Sequence, residues 1–169
     1  TLTLQEALHV NLPGGAPTLC LRKEFLENIG GFDEKLSALE DWDLNIRASL
    51  NDAKTYHLKN RLTVCNYFIC RESTSTSIEK NKVSIEELIR KYSKKLNSDD
   101  LNMIMNNYRM TIAIALKLRS DRRRSLMNAM INFVHVRSKR NLRILVFCLI
   151  PIKLTMLVLR KRYKNKREL

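Results

Sequence analysis

From Ile78 to its last residue the chain contains no glycine and a single proline, Pro151. A long stretch without backbone breakers becomes helical wherever its apolar residues recur every three or four positions. They do so in segments near 79–96, 99–119 and 121–138, which predicts three amphipathic helices. Asp99 and Asp100 precede the second segment and Asp121 precedes the third, each a candidate N-cap.

A last apolar run, "ILVFCLIPIKLTMLVL", extends from Ile144 to Leu159 and is interrupted by Lys153 and Thr155. It falls short of the roughly 20 residues that span a bilayer. Arg137, Lys139, Arg140 and Arg143 precede it, and "RKRYKNKR" follows. Such flanks predict a helix lying in the plane of an anionic membrane surface. The other reading is a buried bundle helix with a solvated basic tail.

The first part of the chain is patterned differently. Leu4 to Val10 reads as a short helix closed by the "NLPGG" turn at Asn11 to Gly15. "PTLCLR", Pro17 to Arg22, reads as a buried strand. Phe25, Leu26 and Ile29 then have helical spacing, with Gly30 closing that helix. A further helix is expected from about Trp42 to Leu50. "AKTYHL" and "RLTVCNYFIC" read as two strands, separated by Lys59-Asn60 as in a hairpin. The expected fold class is therefore a truncated α/β region with few strands over residues 1–78, followed by a mainly α-helical extension over 79–169.

Charge divides the chain in the same sense. Residues 1–70 hold seven Lys/Arg and nine Asp/Glu, whereas residues 71–169 hold twenty-four and eight. The basic half calls for an anionic partner, either a membrane surface or nucleic acid. The four cysteines, Cys20, Cys65, Cys70 and Cys148, form no CxxC pair and read as reduced, packed thiols. No secretory signal opens the chain, and the absence of an initiator Met is consistent with a fragment of a longer protein. There is no phosphate-cradling Gly-rich loop, HExxH, GxSxG or Cys/His zinc spacing. Acidic residues are left as the carriers of any chemistry.

They concentrate in "IGGFDEKLSALEDWDLNIRAS", Ile29 to Ser49. Glu40 and Asp41 stand at the expected start of a helix. There they serve as helix-terminal carboxylates, as a general base, or as both, since a carboxylate fixed at a helix end can also face a cleft. "DWD", Asp41 to Asp43, falls on that same helix.

The order "PTLCLRKEFLENIGGFDEKLSALEDWDLNIRAS", a hairpin, then "YFICRESTSTS" resembles the C-terminal, acceptor-side half of a family-2 glycosyltransferase of the GT-A fold. The likeness covers roughly residues 11–77 and rests on GGFDE combined with ED-W. It implies transfer of a sugar, with inversion, from a nucleotide-sugar donor to a glycan or lipid-linked acceptor in cell-surface polysaccharide synthesis. Asp41 matches the base that deprotonates the acceptor hydroxyl, and Glu40 is its neighbour in the motif. Trp42 would line the acceptor pocket, Asp33 borders the site with Glu34, and Arg71 would meet the donor diphosphate. A divalent metal, Mg or Mn, is implied for the complete enzyme, but its D-x-D ligands are absent from this chain and belong to a missing N-terminal donor-binding half. The resemblance thus implies an incomplete enzyme, inactive as this chain alone and peripheral on the cytoplasmic face of the cell membrane. The alternatives are a non-catalytic basic helical module that binds nucleic acid, which the run Arg122 to Arg124 favours, and a degenerate scaffold.

Overall fold

In a computed structural model the described residues are 3–9, 19–55, 77–155 and 157. All their regular structure is helical: α1 (Leu4–His9), α2 (Lys23–Asn28), α3 (Glu40–Leu50), α4 (Ile78–Tyr92), α5 (Ser98–Leu118), α6 (Arg122–His135) and α7 (Lys139–Leu149). The expected α/β class is thereby corrected: the described chain contains no strand. Residues 19–22 and 53–55, the described parts of two expected strands, are irregular. A short apolar run becomes a strand only when a neighbouring strand takes up its N–H and C=O groups, and none lies among the described residues. The expected strand at 61–70 falls outside them.

Helix ends follow the local chemistry. Ile29 ends α2, and Gly30 (φ 86°) and Gly31 (φ 65°) follow in the left-handed region. Gly31 N–H donates to Leu26 O at 2.8 Å and Gly30 N–H to Glu27 O at 3.0 Å, the paired closure that glycine allows because it lacks a Cβ. Ser77 caps α4 by accepting from Lys80 N–H, and Asp121 caps α6 by accepting from Arg124 N–H. The start of α5 is capped by Asn97, whose Oδ1 accepts from Asp100 N–H at 2.9 Å. Asp99 and Asp100 lie inside its first turn instead.

The chain forms two compact units, residues 1–107 and 108–169. The first begins its core with Ala7 and Leu8 of α1, continues through Leu36, Trp42, Leu44 and Ile46, and ends on Ile85, Leu88, Tyr92 and Ile104. Within this unit α4 packs with the segment before it. Ser84 Oγ of α4 accepts from Ala38 N–H at 3.0 Å, and Gln5 Nε2 donates to Asp100 Oδ1 at 3.0 Å.

The second unit centres on Ala113, Ala129 and Cys148, with Leu126, Ile144, Leu145 and Phe147 around them. Buried Asn132 and Asn141 join α6 to α7: Asn132 Nδ2 donates to Asn141 Oδ1 at 3.3 Å, and Asn141 Nδ2 donates to Val136 O at 2.7 Å. The final apolar run is not one helix. It stops at Ile150 (φ −64°, ψ 137°), because Pro151 pushes its predecessor out of the helical region. The carbonyls freed there are taken by the buried Lys117, whose Nζ donates to Cys148 O at 3.2 Å and to Ile150 O. Among the described residues no helix is long and apolar enough to cross a membrane. Cys20 and Cys148 are free thiols, the first exposed and the second buried.

Candidate functional site

The segment 29–49 is held by a continuous chain of charged contacts. Asp33, just past the Gly-Gly turn, accepts from Lys35 N–H at 3.1 Å and from Lys91 Nζ of α4 at 2.6 Å. The same ammonium lies 2.8 Å from Asp43 Oδ1 of α3. Tyr92 hydroxyl also donates to Asp43 Oδ1 at 2.8 Å. On its other oxygen Asp43 accepts from Arg47 Nε at 2.8 Å, and Arg47 Nη1 donates to Ile29 O at 2.5 Å, just before the glycines. Loop, α3 and α4 are therefore locked by one buried carboxylate.

Asp43 is fully buried, and three donors offset the cost of removing it from water. The hydrogen bond from Lys91 holds the Asp33 carboxyl below its ordinary value of 3.8. Burial, then the adjacent Asp43 charge, pushes the Tyr92 hydroxyl far above its ordinary value of 10. Tyr92 accordingly stays protonated and remains a donor.

The structure places the expected site residues unequally. Glu40 and Asp41 open α3 and are half-buried. Asp41 Oδ1 accepts from Trp42 N–H at 2.8 Å, which fixes its side chain against the helix end. Leu39, immediately before them, has φ 65°, a left-handed conformation that costs a leucine about 1–2 kcal/mol. Trp42 is only 3% exposed, and its Nε1–H donates to Ala7 O at 2.7 Å. Its ring belongs to the core and has no open face for a sugar. Asp33 is joined to the start of α3 through Lys91 and Asp43, and Arg71 lies outside the described residues.

Arg47, Lys91 and Tyr92 were not singled out in sequence, and Asp43 entered only as the last letter of "DWD". The Asp43–Arg47 pair carries a readable signal, opposite charges four apart on a helix. Lys91 and Tyr92 carry none, since nothing local places them against α3. Among the described residues no group of three His, Cys, Asp or Glu could hold a metal ion. Asp33 and Asp43 both converge on the Lys91 ammonium, which repels a cation. This donor set does not fit a divalent metal.

One curated relative is similar over 94 residues, at 29% identity, covering 55% of this chain and 32% of the relative. It comes from Haemophilus influenzae and is named an uncharacterized glycosyltransferase. The similarity is to a glycosyltransferase. The match spans about a third of that relative's length. No family model matches the chain, and no solved structure does.

Proposed function

We propose that this chain is the acceptor-side part of an inverting glycosyltransferase, one that moves a sugar from a nucleotide-sugar donor to a glycan or lipid-linked acceptor. The similarity to a named glycosyltransferase carries the reading. The GGFD–EDW segment supports it, because the locked loop and α3 hold Glu40 and Asp41 at a strained, half-buried helix start.

In this reading the Asp41 carboxylate takes the proton from the acceptor hydroxyl. The acceptor oxygen bonds to the anomeric carbon as the bond to the nucleotide diphosphate breaks, and the diphosphate leaves with the electron pair. Glu40 orients the acceptor beside Asp41, and Arg71 is assigned to the departing diphosphate. A divalent cation for that diphosphate would be held outside the described residues. The work is placed at the cytoplasmic face of a membrane, in the assembly of a cell-surface polysaccharide.

The test is Asp41→Asn in the full-length protein, assayed with a panel of nucleotide sugars. Loss of at least about a hundredfold in transfer is expected, with the thermal midpoint preserved. Undiminished transfer would overturn the assignment of Asp41, and no transfer by the unaltered protein with any donor would favour a degenerate scaffold.

A further inference from the structure

The second unit presents two apolar stripes to solvent. On α6, Met127, Met130, Ile131 and Val134 follow the i, i+3, i+4, i+7 spacing of one helix face and are 39% to 68% exposed. The face opposite, Ser125, Ala129 and Asn132, is the buried one. On α7, Leu142, Val146 and Leu149 repeat the pattern. Helices of this length ordinarily turn such a stripe inward.

Charge identifies the partner. Residues 108–169 hold seventeen Lys/Arg and two Asp/Glu. Arg122, Arg123 and Arg124 occupy the first turn of α6, and Lys139 and Arg140 that of α7, with no acidic residue in either turn. Cations there oppose the helix dipole. Arg124 pairs with the N-cap Asp121 at 3.5 Å and Arg122 Nη2 lies 3.5 Å from Leu149 O, yet all three arginines stay exposed to solvent. They stand at the ends of the apolar stripes. A second copy of this unit would bring like charges together, and a nucleic acid has no use for aliphatic stripes.

We propose that the exposed apolar stripes of α6 and α7, with the basic first turns of both helices, form a docking surface for an anionic lipid bilayer. Met and Val side chains enter the acyl boundary while Arg and Lys meet the phosphates. The surface differs from the single interfacial helix expected over 144–159, because Pro151 divides that run and α6 supplies the larger stripe. This deepens the membrane location proposed above and does not depend on the transfer chemistry.

The experiment is co-sedimentation of the 169-residue chain with phosphatidylcholine vesicles, with and without phosphatidylglycerol, at low and high salt. Binding to the anionic vesicles alone, weakened by salt, is expected. Met130→Glu with Val134→Glu, both at exposed positions, should reduce that binding about tenfold or more with the far-UV CD unchanged. Leu142→Glu with Val146→Glu provides a second pair should the first disturb folding. Equal binding to neutral vesicles, or full binding by both folded double variants, would overturn the proposal. So would a lipid-free dimer dissociated by these substitutions, or binding to an oligonucleotide but not to vesicles. Transfer to a water-soluble acceptor, assayed in the full-length protein, should survive the double substitution, so the two readings fail separately.

Discussion

Asp43, rather than Asp41, is the acidic residue on which the first unit depends. Removing its side chain leaves Lys91 and Arg47 without their buried counter-charge. Asp43→Ala should therefore lower stability by about 3–5 kcal/mol, read from urea unfolding by Trp42 fluorescence. Trp42 is the only tryptophan, and its emission should shift to the red on unfolding. The Asp33–Lys91 pair predicts a pH dependence. Lys91 depresses the Asp33 carboxyl, so the stabilisation is complete above the ordinary aspartate value of 3.8 and fades as pH falls through the lower folded value. Lys91→Met should flatten the fall in stability of the native protein below about pH 4. An unchanged acid profile would show that the pair contributes nothing. The acidic cluster was legible at this scale, but its division of labour was not. Which carboxylate is buried depends on α4, which approaches from more than forty residues away.

At the scale of elements, turn chemistry decides. Nothing lies within 4 Å of a Cβ placed on Gly30 or Gly31, so their requirement is conformational alone. Gly30→Ala should cost about 1–2 kcal/mol through its positive φ without any steric clash, a loss visible in the unfolding midpoint. Ser77→Ala should cost about 1 kcal/mol by removing the cap of α4, and with it some of the hold of Lys91 on the loop. Helix spans and caps were largely readable, because spacing, Ser, Asp, Gly and Pro act within a turn or two. The described parts of the expected strands, 19–22 and 53–55, were not. An apolar hexamer such as Pro17 to Arg22 carries the same local signal whether or not a neighbouring strand exists to complete it.

At the scale of the whole molecule, far-UV CD should be dominated by helix; a sheet-dominated spectrum would restore the α/β reading that the described residues contradict. Charge divides between the two compact units: residues 1–107 hold fourteen Lys/Arg and fifteen Asp/Glu, residues 108–169 seventeen and two. The sequence by itself determined the helical second half, the glycine closure of α2, the Asp121 cap of α6 and the place where acidic chemistry gathers, since all of these follow from interactions a few residues in range. Only the tertiary structure decided that Asp43 is the buried anchor, that Trp42 is core, that Lys117 closes the end of α7 and that α6 turns an apolar face outward. Each depends on which distant surface comes to lie against a residue, and burial and pairing are properties of that meeting.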